Sequence, residues 1–309
     1  MPQQFFYQEK GLFLQSLHSA VALFYIVTLL VLALVFSHPV YLIGILAVTA
    51  LAICAADGLA AWEGYLKFAL VMALLVMAVN PLVSRAGQTV LWQGPHLPVL
   101  GRLTVTLEAI CYGAAMGVRL LGIISIFCLF NLVVHPDRLL NLLSRFACKS
   151  ALIVSLTTRL FPVMAASMNS IREVQQLRGV DFQAGTLKER ADKYASLLNI
   201  LLVSSLEDSL QIAEAMQARA FGSGHRSCYR REFFRPRDGL CLGGSVFSLL
   251  FAIYGMTYGY GTYSYYPQLG CLFDGGTAVT VLAAILGGLS LPVVLSWGWQ
   301  RCQYLRSKI

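Results

Sequence analysis

The chain has 309 residues, of which 57% are hydrophobic and only 12% are charged, and its net charge is +8 at pH 7. Its mean hydropathy is +0.68. A soluble domain of this length carries about twice that fraction of charged residues. These values exclude an ordinary soluble protein and require that much of the surface faces lipid.

The eight cysteines and five histidines show no spacing that is typical of a metal site. No two cysteines form a C-x-x-C pair, and most of them lie in apolar stretches, which argues against a disulfide framework as well. We therefore predict no metal site in this chain.

Six stretches are apolar over roughly the 20 residues that a membrane-spanning helix needs. They cover residues 17–36, 40–56, 66–83, 109–134, 240–258 and 276–299. The segment before the first stretch has neither a basic region nor a small-residue cleavage site. We expect this stretch to be a retained helix rather than a signal peptide.

The predicted fold is an all-α polytopic membrane protein with about six transmembrane helices, in three parts. Residues 1–134 form a membrane domain with four spans, and residues 135–237 form a cytoplasmic region with long amphipathic helices. Residues 238–309 form a membrane hairpin with two spans.

The distribution of charge predicts the orientation. Of the 23 lysines and arginines, 15 lie between residues 135 and 237. Cytoplasmic loops are enriched in lysine and arginine, so this region is placed in the cytoplasm. That choice puts both termini inside and the loop 84–107 outside. The anionic lipid of the cytoplasmic leaflet accounts for the positive charge, and we expect no nucleic acid partner.

Three helical patterns follow one another in the cytoplasmic region. A short amphipathic pattern covers residues 136–146. A longer one runs from about residue 152 to 178, with apolar residues at intervals of three and four. The third runs from about residue 191 to 221.

The two longer patterns end in the same phrase, E-x-x-Q-x-R followed by glycine or alanine. The first copy reads "EVQQLRG" and the second, 41 positions later, reads "EAMQARA". The matched residues are Glu173, Gln176, Arg178 and Gly179 in the first copy, and Glu214, Gln217, Arg219 and Ala220 in the second.

Two interpretations of these arginines compete. A single arginine at this place complements the negative end of a helix, and a glycine after it forms a left-handed C-cap. Two copies in one cytoplasmic region favour contact with a partner protein that has acidic grooves. The rigid guanidinium group, with five donors, suits carboxylates and backbone carbonyls at an interface.

Arg119 lies near the middle of the fourth span, where an ionisable residue is a functional candidate by default. Glu108 is about 16 Å away along a straight helix, too far for direct contact. We favour a structural role, in which Arg119 holds helices together through backbone carbonyls or Asn80. Contact with a substrate is the alternative.

Six tyrosines lie between residues 254 and 266, after the fifth span. Tyrosine at this density is typical of the membrane–water interface, where the ring lies in lipid and the hydroxyl in water. An aromatic platform that binds sugar is the alternative.

The sequence contains no residues that would make this chain an enzyme. No G-x-x-x-x-G-K-[S/T] motif is present, so we expect no ATP hydrolysis by this chain. Its serines and histidines form no nucleophile motif. We predict no catalytic residue and no cofactor.

The stretches "NPLVSRAGQTVLW", "TTRLFPVMAASMNSIREVQQLRGVDF" and "AMQARA" resemble the transmembrane T component of energy-coupling factor (ECF) transporters. That family includes the cobalt-transport permease CbiQ. The resemblance covers roughly residues 66–222, and the paired arginine phrases are its most specific part.

The resemblance implies a non-catalytic coupling subunit of an ABC-type importer in a prokaryotic cell membrane. A T component joins two cytoplasmic ATPases, which bind ATP and Mg²⁺, to a membrane S component that binds a vitamin or metal ion. Arg178 and Arg219 would each dock on one ATPase, within the motif residues given above.

Two departures from the family pattern affect these expectations. Ala220 stands where the family has glycine, so we expect the third helical pattern to run a turn longer. The last span, 276–299, is additional to the arrangement of many members.

Two other classes of protein stay open. A self-contained carrier or channel would need several ionisable groups facing one another in the membrane or inverted repeats, and the sequence shows one clear mid-span charge. A membrane enzyme would need a polar cluster at the interface, which the sequence does not supply.

Overall fold

The structure, a computed structural model, describes most of the chain. The described residues are 13–84, 87–97, 101–134, 138–139, 142, 148–182, 184–224, 233–270 and 275–301. They fold into two compact units: the first comprises Met1–Leu139 with Glu232–Ile309, and the second comprises Leu140–Arg231.

A 3-10 turn, Leu14–Ser16, opens the described chain. The helices that follow are α1 Ser19–Val35, α2 Pro39–Ala55, α3 Leu59–Val83, α4 Leu107–Val133, α5 Cys148–Leu177, α6 Leu187–Ala218, α7 Pro236–Thr257 and α8 Gly275–Arg301. Two strands, β1 Val90–Leu97 and β2 Gly101–Thr106, separate α3 from α4. Helices α5 and α6 belong to the second unit, and the others belong to the first.

All six predicted spans coincide with helices, so the all-α membrane fold is confirmed. Helices α3, α4, α7 and α8 are long and apolar enough to cross a membrane. Helices α1 and α2 are also apolar but have 17 residues each, which makes each about 26 Å long. They are therefore slightly shorter than the hydrocarbon layer of a bilayer, which is about 30 Å thick.

The second unit corresponds to the region that was predicted to be cytoplasmic. Helix α5 also meets the length and composition criterion for a span, over Leu152–Leu177, because its apolar stripe is long. The predicted short helix at 136–146 lies mostly outside the described residues.

The buried core of the first unit comes mainly from α1 and α2, with contributions from α4, α7 and α8, and α4 packs against α1, α2 and α3. Helices α1 and α2 are apolar on all sides, as expected of helices buried within a membrane protein, and Leu29, Phe36 and Ile53 are fully buried. Helix α8 packs against α7 and α2. Few residues of helix α3 are buried.

The segment between α3 and α4, predicted as a loop, contains a two-stranded antiparallel sheet. Its register pairs Val90 with Thr106 and Leu97 with Gly101. The buried carboxylate of Glu108 fixes the base of this hairpin. Its Oε1 accepts hydrogen bonds from the backbone of Gln88 (3.3 Å) and from the backbone and hydroxyl of Thr89 (3.1 and 2.6 Å).

Helices α7 and α8 approach each other closely at two glycines. A Cβ at Gly288 would lie 2.7 Å from the carbonyl oxygen of Gly244, and one at Gly244 would lie 2.8 Å from that of Gly288. One turn further on, the Ser248 hydroxyl donates to the carbonyl of Ile285 at 3.0 Å. Close backbone approach through small residues is the usual way in which helices associate in lipid.

The close approach predicts a sharp difference between two neighbouring glycines. Gly288→Ala should destabilise the chain by about 1–3 kcal/mol, because the methyl group forces apart two backbones that cannot yield. Gly287→Ala is the matched control, since nothing lies within 4 Å of its Cβ position. Thermal unfolding in detergent micelles measures both, and an equal melting temperature for the two variants would contradict this packing.

Candidate functional site

The second unit has little core of its own. Among its described residues only Phe182, Leu197 and Leu201 are buried. Most apolar side chains of α5 and α6 point outward, including Phe161, which is 73% exposed. A pair of helices with this much exposed apolar surface needs lipid or another protein to cover it.

Helix α5 ends in a Schellman motif that is formed by the end of the first arginine phrase. The backbone N–H of Gly179 donates to the carbonyl of Gln176 at 3.0 Å, and that of Val180 donates to Gln175 at 3.0 Å. Gly179 has φ +89°, the left-handed conformation that this motif requires at the position after the C-cap. Arg178 is the C-cap residue, at the tip of the helix.

Helix α6 ends in the same way, 41 positions later. The backbone N–H of Ala220 donates to Gln217 at 2.9 Å, and that of Phe221 donates to Met216 at 3.0 Å. Arg219 is the C-cap residue, and it occupies the place that Arg178 has in α5.

The expectation that α6 runs a turn longer was wrong. The helix ends at Ala218, because Ala220 itself adopts the left-handed conformation, with φ +54°. This conformation costs an alanine about 1–2 kcal/mol relative to a right-handed one. The two hydrogen bonds of the motif close the helix end at this position. Gly222, two residues later, is also left-handed, with φ +91°.

Both arginine side chains are exposed, and neither makes a hydrogen bond or an ion pair within the described part of the chain. The other residues of the two phrases are exposed as well: Glu173, Gln176, Gly179, Glu214, Gln217 and Ala220. An apolar side chain adjoins each arginine, Leu177 at 87% exposure and Phe221 at 51%. Each helix tip thus combines a guanidinium group with an uncovered apolar residue.

The turn between the two helices is held by contacts that sequence analysis did not identify. The buried ring of Phe182 lies 5.4 Å from the ring of Tyr194 and 5.9 Å from the guanidinium carbon of Arg172. Lys193 Nζ donates to the carbonyls of Asp181 (2.7 Å) and Ala184 (2.9 Å).

A capping box begins α6 at the end of this turn. The Thr186 hydroxyl accepts from the backbone of Glu189, and the Glu189 carboxylate accepts from the backbone of Thr186 at 3.1 Å. The T-x-x-E spacing is a signal that could have located this helix start from the sequence. The long-range contacts of Phe182 leave no comparable signal.

Arg119 lies within the first unit and contacts a backbone carbonyl. Its Nη2 donates to the carbonyl of Phe36 at 2.7 Å, just beyond the end of α1, and its Nη1 lies 3.4 Å from Met116 Sδ. No hydrogen bond joins Arg119 to Asn80 in the described structure, where the Asn80 amide nitrogen is buried without a partner. The carbonyl contact is of the kind that the structural interpretation expects, and the role itself stays a prediction.

The tyrosine-rich segment lies against the same part of the chain. The Tyr265 hydroxyl donates to the carbonyl of Ser37 at 2.8 Å, and burial raises the pKa of Tyr265 to about 12. This hydroxyl therefore keeps its proton at neutral pH and can donate. Tyr254 and Tyr258 are exposed, as tyrosines at a lipid interface would be.

Within the described residues, no group of histidine, cysteine, aspartate or glutamate side chains could hold a metal ion. The candidate site consists of two helix tips with one exposed arginine each.

Comparison with known proteins bears on this surface. A family model described as a cobalt transport protein, CbiQ, matches residues 13–229, which includes both arginine phrases and excludes α7 and α8. Several relatives carry the name energy-coupling factor transporter transmembrane protein EcfT.

The EcfT of Bacillus subtilis is 29% identical over 157 residues, which cover 47% of this chain and 59% of the relative. That of Streptococcus thermophilus is 30% identical over 161 residues, covering 48% and 61%. That of Lacticaseibacillus paracasei is 28% identical over 188 residues, covering 57% and 69%. The chain thus spans about three fifths of the length of the first two of these relatives.

The matched helix ends predict opposite effects of two small substitutions. Gly179→Ala should weaken the end of α5 by about 1 kcal/mol, because alanine pays for the left-handed conformation. Amide exchange at Val180 should then accelerate about fivefold. Ala220→Gly should slow exchange at Phe221 by a smaller factor, because glycine also loses more backbone entropy on folding. Hydrogen–deuterium exchange measures both amides, and the same direction of change in both variants would contradict the assignment.

Proposed function

This chain belongs to the CbiQ family of cobalt transport proteins, and we propose that it is the transmembrane coupling subunit of an ECF-type ABC importer. In this role it joins two cytoplasmic ATPases to a membrane S component that binds the substrate. The proposal rests mainly on one observation: α5 and α6 end in the same motif, and each end carries an exposed arginine.

The two helix tips have the chemistry of protein-binding sites. Arg178 and Arg219 find no acceptor among the described residues, so their guanidinium groups are available to a partner. A guanidinium group forms bidentate hydrogen bonds with carboxylates and binds backbone carbonyls. Leu177 and Phe221 supply the apolar contact that accompanies such an anchor at the centre of many interfaces. Two equivalent tips suit two ATPase subunits.

The side of α6 provides a second surface. Leu198, Leu202, Leu206 and Leu210 follow one another at intervals of four and are all exposed. Residues four apart lie on one face of a helix, so they form a continuous apolar stripe. We assign this stripe to contact with the S component, whose membrane-embedded surface would be apolar as well.

Coupling follows from the rigidity of these helices. When ATP binding brings the two ATPases together, it would move the two helix tips that are bound to them. Helices α5 and α6 would then transmit this movement. Such a change requires that the ATPase states differ in the helix arrangement they favour. Losing one buried, hydrogen-bonded charge pair at an interface costs about 2–5 kcal/mol, which is enough to dissociate a tip.

The chemistry of transport is divided among the subunits. ATP and Mg²⁺ would be bound by the ATPases, since this sequence has no phosphate-binding loop. The cargo, a vitamin or transition-metal ion, would be bound by the S component. The importer would lie in a prokaryotic cell membrane, with both termini of this chain in the cytoplasm, as the charge distribution predicts.

Charge reversal at both tips tests the proposal. Arg178→Glu combined with Arg219→Glu should abolish co-purification with the ATPase subunits, because each tip would then repel an acidic groove. The membrane insertion of the chain should be unchanged, because both side chains are exposed. Co-expression with the ATPases, followed by affinity purification from solubilised membranes, measures the binding.

Arg159→Glu combined with Arg190→Glu is the matched control. Both side chains are exposed and lie outside the two arginine phrases, Arg159 in the first half of α5 and Arg190 at the start of α6, and the pair changes the net charge equally. The control should keep the ATPases bound. Undiminished binding by the double variant at Arg178 and Arg219 would refute the proposed function.

A further inference from the structure

One turn near the N-terminus contacts the ends of several helices of the first unit. Gln15 Nε2 donates to the carbonyl of Leu132, near the end of α4, at 3.0 Å. The ring of Phe13 lies 5.8 Å from that of Trp299, near the end of α8. Phe13, Leu14, Gln15 and Leu17 are all buried. This turn is therefore an integral part of the packing of the first unit.

Two arginines donate to consecutive carbonyls of this turn. Arg138 Nη1 donates to the carbonyl of Gln15 at 2.7 Å, and Arg237 Nη2 donates to that of Ser16 at 2.8 Å. The guanidinium of Arg237 also lies 5.5 Å from the centre of the Phe13 ring. Charge-assisted hydrogen bonds of this length are about twice as strong as neutral ones.

An aspartate completes the arrangement at the start of α7. Asp238 is 1% exposed and Arg237 is 3% exposed, so opposite charges are buried next to each other in the chain. The Asp238 carboxylate accepts from the backbone of Arg235 at 2.9 Å and from that of His18 at 3.3 Å. We call Phe13 to His18 with Arg138, Arg237 and Asp238 the junction cluster.

The two arginines of the junction cluster lie close to the points where the chain leaves the first unit and returns to it. The chain leaves the first unit after Leu139 and returns to it at Glu232. Arg138 thus stands immediately before the exit, and Arg237 stands five positions after the return. Two arginines that flank the inserted segment, which carries the arginine phrases, thus donate to adjacent carbonyls of one turn of the first unit.

We infer that Arg138 and Arg237 are positioning residues for coupling, an inference that rests on the proposed function. They bond the chain on either side of the second unit to one buried turn that also contacts α4, α7 and α8. A displacement of the helix tips by the ATPases is then passed to the membrane helices. Without these bonds the connecting chain would absorb part of that displacement.

Packing alone does not require this arrangement. Apolar side chains alone could bury this turn. Burying a guanidinium group adds a desolvation cost. Bonds to backbone carbonyls fix the path of the main chain and do not depend on the rotamer of an acceptor side chain. Both junctions of the segment use an arginine for this purpose, and both arginines use the same turn.

A distance measurement in the assembled importer tests the inference. Spin labels are introduced through an unnatural amino acid, which leaves the native cysteines in place, at Lys67 in the first unit and Asp208 in the second. Both side chains are exposed. The chain is assembled with the co-expressed ATPases and S component in nanodiscs, and the label-to-label distance is measured without nucleotide and after trapping with ATP and vanadate.

The wild-type complex should show a narrow distance distribution that shifts on trapping. Arg138→Met and Arg237→Met should still bind the ATPases and hydrolyse ATP, because the arginine phrases are unchanged. Their distance distributions should broaden, and the shift should be lost. Arg138→Lys, which keeps a charged donor, should recover at least part of the shift. Arg235→Met is the control at an exposed arginine and should behave as wild type.

The outcomes separate the inference from the function on which it rests. Failure of the wild-type chain to bind the ATPases refutes the proposed function. A wild-type complex that binds them without any shift, or an Arg138→Met complex with the full shift, overturns the inference alone. Arg138 is half-buried and leaves the Asp238 contacts intact, so its variant decides the question even if Arg237→Met fails to fold.

Discussion

An α-helix leaves its last carbonyl groups without partners inside the helix, and the ends of α5 and α6 satisfy them in the same way. In each, the residue after an arginine turns into the left-handed conformation, and two backbone bonds close the helix. The helix stops there, so Arg178 and Arg219 stand at its tip. The exposed site depends on this reversal of the chain, and position 220 adopts it even with the strain of an alanine.

The two units differ in how their apolar surface is covered. The first unit buries a core of residues from α1, α2, α4, α7 and α8, including the fully buried Leu29 and Leu289. The second has three buried residues in its described part and leaves long apolar faces open. Burial of apolar surface is the main source of folding free energy, so the second unit depends on lipid and partners for its stability.

The sequence predicted what local pattern determines. The positions of the apolar helices follow from apolar length, and the two arginine tips follow from a repeated phrase. Contacts between distant residues were beyond such patterns, since Arg119 bonds to a carbonyl 83 positions away. The hairpin was missed because its first strand, VLWQGPHL, contains a glycine and a proline, which argue against a strand in sequence. Helix α3 begins at Leu59, seven residues before the predicted span, because Glu63 interrupts the apolar run from which the start was predicted. Ala220 gave no sign of its conformation, since only glycine marks a left-handed position in sequence.

Cross-linking from the helix tips tests the central claim most directly. A photo-reactive amino acid at Leu177 or Phe221, both exposed beside an arginine, would be activated in membranes that contain the whole importer, and the products would be identified by mass spectrometry. The account predicts cross-links from each tip to an ATPase subunit, and none to the ATPases from Phe161, which is exposed in the first half of α5. Cross-links from both tips only to lipid or to this chain would contradict it.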